Sequence, residues 1–160
     1  MKKSILIVLI LVMGNLVSAK DLQWKKYNDG IAEAKKSGKK VLVDVYTDWC
    51  KWCKTMDTVT YKDKKVKEYL EKNFVIIKLN AEGNEQVTYE GQKMNPAEFA
   101  QGMRIDGYPA TLFMTSKGEA ITVLPGYSEP KMFMHVLSYI HEDQYSKKNF
   151  DQYLKEKGVK

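Results

Sequence analysis

Cys50 and Cys53 are the only cysteines in a chain of 160 residues, and two residues separate them. A disulfide between them would close so small a loop that it would constrain almost nothing in the unfolded chain. A structural staple is therefore a poor explanation for the pair. Half of a metal site is the next reading. Structural zinc sites take four ligands and catalytic ones three plus water. The only histidines, His135 and His141, are six residues apart and face different sides of a helix. No metal and no cofactor is expected, which leaves a reactive dithiol.

The segment Asp48-Trp49-Cys50-Lys51-Trp52-Cys53-Lys54 stands where a buried strand gives way to a helix. The nucleophile in thiol chemistry is the thiolate. The first turn of a helix leaves N–H groups unpaired and carries partial positive charge, so a cysteine placed there ionises more readily. Cys50 is thus the expected attacking, solvent-facing thiol. Cys53, one turn deeper, is the expected resolving thiol. Lys51 and Lys54 add positive charge. Trp49 reads either as an apolar wall beside Cys50 or as a core tryptophan. Trp52 reads as a half-exposed docking surface or as an apolar cap on the helix.

The elements that must position this pair are visible in the hydrophobic pattern. Lys40 to Tyr46 is rich in β-branched residues and reads as a buried strand. Ile31 to Lys36 forms a helix before it, stopped by Ser37-Gly38. Apolar residues at Trp52, Met56, Val59, Val66 and Leu70 predict a helix with a break near Thr60 to Asp63. Further strands are expected over Phe74–Leu79, Thr111–Met114 and Ala120–Leu124. Asn95-Pro96 opens a short helix, and a last main helix spans Pro130–His141 with Met132, Phe133, Val136, Leu137 and Ile140 on its apolar face. The order αβαβαββα predicts an α/β domain, a central mixed sheet flanked by helices on both faces. Residues 81–95 read as an irregular loop, either functional or a tolerated insertion. Residues 146–160 read as either a further turn of helix or a frayed tail.

Residues 1–19 have a basic start, an apolar run from Ile5 to Met13 and a Val17-Ser18-Ala19 end, the order of a secretory signal peptide. The domain then covers 20–145. The alternative is an uncleaved N-terminal membrane anchor, and no second apolar stretch is long enough to add another. Removing Lys2 and Lys3 lowers the formal charge of +6 by two. The remaining lysines cluster on helix faces without interleaved aromatics, so nucleic acid is not an expected partner.

At Val41-Leu42-Val43-Asp44-Val45-Tyr46-Thr47-Asp48-Trp49-Cys50-Lys51-Trp52-Cys53-Lys54 the chain resembles the active-site segment of the thioredoxin family. Asp44 matches the buried acid of that family and Lys78 the lysine paired with it. Gly107-Tyr108-Pro109-Ala110-Thr111 matches the loop whose proline is cis, and Leu124-Pro125-Gly126-Tyr127 the turn before the last helix. The resemblance covers roughly residues 22–141 and is nearest to exported members. It implies the thioredoxin fold and a thiol-disulfide oxidoreductase of the periplasm. Asp44 would exchange a proton with Cys53, with Lys78 modulating it. Trp49, Trp52, Tyr108 and Pro109 would face the substrate. The expected direction is reduction of disulfides in proteins or small molecules, with a membrane thiol reductant as electron donor. An oxidase or isomerase, or a non-enzymatic binding module, are the alternatives. Two departures bear on the substrate: the dipeptide is Lys51-Trp52, not Gly-Pro, and the segment from Lys78 to Pro109 is about a dozen residues longer than in thioredoxin.

Overall fold

The computed structural model describes residues 21–159. The signal-peptide reading of residues 1–19 lies outside them. Helix α1 spans Tyr27–Ser37 and ends on Gly38, whose φ of 72° is the left-handed conformation that glycine adopts at least cost. Strand β1, Lys40–Tyr46, is buried along nearly its whole length. Helix α2, Lys51–Thr55, runs into a π-helical turn at Met56–Thr60. Asp63 then caps helix α3, Lys64–Asn73, by accepting from the Lys65 and Val66 amides. The break expected near Thr60 to Asp63 is therefore present, with a π turn leading into it. Strand β2, Phe74–Asn80, follows directly.

Residues 81–95 depart from the expected irregular loop. They contain a hairpin of β3, Val87–Tyr89, and β4, Gln92–Met94. Its turn is Glu90-Gly91, with φ of 49° and 80°. Both positive values suit a two-residue hairpin turn, but Glu is not among the residues that announce one. Asn28 pins the hairpin to α1: its amide donates to the Gln86 carbonyl at 2.7 Å and its oxygen accepts from the Thr88 N–H at 2.9 Å. Helix α4, Pro96–Gly102, carries a capping box between Asn95 and Glu98. Strands β5, Ala110–Met114, and β6, Ala120–Pro125, precede helix α5, Pro130–His141. The C-terminal segment is helical, not frayed. Helix α6, Phe150–Glu156, is capped by Asn149, and Tyr153 packs on Tyr139 of α5 at 5.3 Å between ring centroids.

The main sheet has the order β2-β1-β5-β6, with β1 parallel to β2 and antiparallel to β5. It is the expected mixed sheet with a helix layer on each face. Side chains alternate along β1. Val41, Val43 and Val45 pack with Tyr27 and Ala34 of α1 and Phe99 of α4. Leu42 packs on the other face with Val66 and Leu70 of α3 and Phe133, Leu137 and Ile140 of α5. Each such aliphatic side chain, fully buried, contributes about 1.5–3 kcal/mol. The same alternation puts Asp44 on the Leu42 face. Its register partners are Lys78 on β2 and Thr111 on β5, so a charged pair is built into one face of an apolar sheet.

Candidate active site

Strand β1 ends at Tyr46, and the chain turns through Thr47–Trp49 so that the Cys50 amide donates to the Thr47 carbonyl at 3.2 Å. Cys50 becomes the N-cap of α2, with its sulfur accepting from the Cys53 N–H at 3.1 Å. The two cysteines form a disulfide with 5.3 Å between their Cα atoms. One expectation needs correction: Cys50 is not solvent-facing. It is only 4% exposed, and Cys53 3%. The disulfide and the bond from the Cys53 amide draw the Cys50 sulfur over the first turn of the helix, away from solvent.

Exposed aromatics surround this buried disulfide. Trp49 is 66% exposed, which rules out the core reading, and its indole N–H donates to both carboxylate oxygens of Glu82 at 3.0 Å. Its ring meets Tyr108 edge-on at 6.1 Å. Trp52 is 57% exposed and stacks on Tyr127 at 5.4 Å. The Tyr108–Pro109 peptide bond is cis, and the Pro109 carbonyl accepts from the Gly126 N–H at 2.8 Å. Trp52, Tyr108, Pro109, Gly126 and Tyr127 together line a shallow groove of about 300 Å³. Of the four residues that the sequence placed at the substrate face, Trp49 and Tyr108 pair with each other, Trp52 pairs with the unexpected Tyr127, and Pro109 lines the groove with Trp52, Tyr108 and Tyr127. Burial and the nearby Glu82 charge push the Tyr108 hydroxyl above its ordinary pKa.

Behind the disulfide the chemistry is different. Asp44 is 1% exposed, and its Oδ2 lies 2.6 Å from Lys78 Nζ. Lys78 also pairs with Asp57, which the π turn presents to it. Burial pushes the Asp44 carboxyl above its usual range; Lys78 opposes this without cancelling it. Burial also works against the Lys78 ammonium, but Asp44 and Asp57 more than offset that and hold its pKa above the usual lysine value. Tyr61 is fully buried beside the pair, and desolvation together with the Asp44 charge raises its hydroxyl well above the ordinary range. Asp44 Oδ1, Tyr61 Oη and Thr111 Oγ1 have no hydrogen-bond partner among the described residues.

The structure brings all eight expected residues to one end of the sheet and adds Asp57, Tyr61 and Glu82. Nothing local marks those three. Glu82 follows Lys78 by four positions and Asp57 follows Cys50 by seven, but only the turn after β2 and the π turn bring them to the site. Among the described residues, no three His, Cys, Asp or Glu side chains stand together as a metal site, and no helix is long and apolar enough to cross a membrane.

Comparison with known proteins agrees with this geometry. Residues 27–141 match the family model described as a thioredoxin-like domain. A thiol:disulfide interchange protein DsbD of Actinobacillus pleuropneumoniae is 28% identical over 105 residues, which is 64% of this chain and 16% of that protein. The chain therefore spans about one sixth of the length of that curated relative. Among solved structures, a thioredoxin-fold protein from Helicobacter pylori superposes with a TM-score of 0.66 at 20% identity, over 81% of this chain and 92% of that one. A thioredoxin from Thermus thermophilus gives 0.63 at 25% identity, over 76% and 88%.

Proposed function

This chain belongs to the thioredoxin-like domain family, and from that premise we propose that it is a thiol-disulfide oxidoreductase that reduces disulfides in an exported compartment. The observation that carries the reading is the Cys50–Cys53 disulfide at a helix start, backed by a buried Asp44–Lys78 pair. In the reduced protein the Cys50 thiolate, favoured by the helix N-terminus, attacks one sulfur of a substrate disulfide. A mixed disulfide forms and the other substrate sulfur leaves as a thiolate, which takes up a proton. Cys53 then gives its proton to the Asp44 carboxylate and attacks the Cys50 sulfur. The Cys50–Cys53 disulfide re-forms and the second substrate sulfur departs. Two electrons have passed to the substrate, and a membrane thiol reductant returns them.

A carboxyl whose pKa is raised is a competent acceptor, because general bases work best when their pKa approaches the working pH. Lys78 keeps that carboxyl from being locked in its neutral form. On the substrate side, Trp52, Tyr108, Pro109 and Tyr127 form the groove into which an extended segment of the substrate lies, and Trp49 stands against Tyr108 beside it. The signal-like residues 1–19 support export, and the likeness to a thiol:disulfide interchange protein supports the redox chemistry.

Equilibration with glutathione tests the direction. A potential near that of thioredoxin, about −270 mV, supports a reductase, whereas one near about −120 mV makes the protein an oxidant. Rapid reduction of insulin disulfides with no catalysis of oxidative refolding is the matching activity.

A further inference from the structure

Lys78 is held by more than its two carboxylates. Its ammonium lies 5.1 Å from the ring centroid of Trp24, 5.0 Å from that of Tyr46 and 5.5 Å from that of Tyr61. Three aromatic faces and two carboxylates therefore enclose one cation, and at these distances each ring attracts it. Tyr46 ends β1 and Tyr61 follows the π turn, so both belong to the part that carries the disulfide. Trp24 does not. It lies in the segment before α1, outside the residues 27–141 matched by the family model.

That segment is fixed in place. The Lys25 N–H donates to the Ile76 carbonyl at 3.0 Å, and the Lys78 N–H donates to the Lys25 carbonyl at 3.1 Å, so residues 24–26 run along the outer edge of β2. Trp24 meets Tyr61 edge-on at 4.9 Å. Beside them a cleft of about 470 Å³ opens, with the Asp21–Lys62 ion pair and Lys67 among the groups lining it. Trp24 lines that cleft together with Lys78, Asp57 and Tyr61, its ring against the Lys78 ammonium.

We infer that Trp24 is a positioning residue for the proton chemistry: its indole face closes the aromatic box around Lys78 and holds the ammonium against Asp44. The inference rests on the proposed role of Asp44 as proton acceptor. The titratable groups facing Asp44 and Lys78 are Asp57, Tyr46 and Tyr61, and the uncharged Thr111 is the register partner of Asp44. Asp21, Lys62 and Lys67 line the same cleft. Without Trp24, Lys78 is free to move away from Asp44 while keeping its pairing with Asp57 at the cleft. Asp44 then loses part of the positive charge that lowers its pKa, so it holds its proton to higher pH.

The test is an NMR titration of the Asp44 side-chain carboxyl in the oxidised protein, where the cysteines do not titrate. Trp24→Ala and Trp24→Leu raise the Asp44 midpoint, on the order of one pH unit. Trp24→Phe, which keeps an aromatic face, leaves it within a few tenths. Trp24→Leu fills space without a ring, so it separates the aromatic face from simple filling of the site. A midpoint unchanged or lowered in Trp24→Leu overturns the inference, as does an equal rise in Trp24→Phe. The readout needs no turnover. Failure of the wild-type protein to reduce insulin counts against the proposed function and leaves the titration result standing. An unmoved titration in a protein that does reduce insulin counts against the role of Trp24 alone.

Discussion

The two sides of the disulfide are built from opposite materials. In front, Trp49 and Trp52 are more than half exposed, with Tyr108, Tyr127 and Pro109 beside them, and the Trp49 indole N–H donates to Glu82. Behind, Asp44 and Lys78 are a charge pair set in an apolar sheet face, with Asp57 and aromatic rings closing around them. A wide apolar rim gains free energy when a partner covers it, and it costs the fold little to carry. A buried carboxyl with raised pKa costs the fold free energy and contributes nothing to docking. Under the proposed function, the front would govern which substrate is held and the back when a proton moves. Changes in front should alter KM, and changes behind should alter rate and pH dependence.

The largest effect is expected at the centre that both sides share. Cys50→Ser abolishes disulfide reduction, by at least a thousandfold in an insulin assay, because no other thiol can start the exchange. Next comes the back. Asp44→Asn slows turnover at neutral pH by about a hundredfold, the lower end of the usual worth of a general base, and KM changes little. The same variant reverses a stability trend. Burial raises the Asp44 pKa on folding above the ordinary 3.8. The folded state therefore binds that proton more tightly than the unfolded chain does. The Asp44 contribution to stability is fully present below pH 3.8 and is lost as pH rises through the folded pKa. Asp44→Asn removes this loss, so it is more stable than wild type at neutral pH and nearly equal to it at low pH. Urea denaturation at two pH values checks this. A variant destabilised at neutral pH would show that Lys78 outweighs burial.

The front is expected to respond more gently. Trp52→Ala raises KM for a protein disulfide by roughly tenfold, equivalent to about 1.4 kcal/mol, with kcat and thermal stability near wild type. A fall in kcat of the same size would mean that the rim also sets the chemistry. Glu82→Gln gives the smallest change. It keeps a hydrogen bond to Trp49 and removes the charge, so KM moves less than threefold while Trp49 fluorescence changes. A large loss of rate there would place Glu82 with the back of the site.

Much of this contrast was legible in the chain, and the illegible parts have physical reasons. The β-branched run at Lys40–Tyr46 and the proline at the start of α5 report local preferences, and both elements stand where those preferences put them. The strand-helix junction at Cys50 was equally plain. The hairpin at Val87–Met94 was not, because Glu90 takes a positive φ without being a residue that favours it. Asp57 and Glu82 were hidden for another reason. Their roles come from pairing across the sheet end, and a regular helix in place of the π turn would carry Asp57 elsewhere. The burial of Cys50 comes from the packing around the first turn of α2, which residue types do not reveal. Nothing in the local sequence marks Trp24, and only the edge pairing of Lys25 with β2 brings its ring to Lys78.

The most direct measurement is a trapping experiment with Cys53→Ser. The reduced variant is mixed with a disulfide-bonded protein such as insulin, quenched with acid, and the adduct is mapped by mass spectrometry. With Cys50 attacking and Cys53 resolving, a mixed disulfide accumulates on Cys50 and Cys50→Ser forms none. Absence of an adduct on Cys50, under conditions where the wild-type protein reduces the same substrate, would contradict the assignment of the two thiols and the division of the site that rests on it.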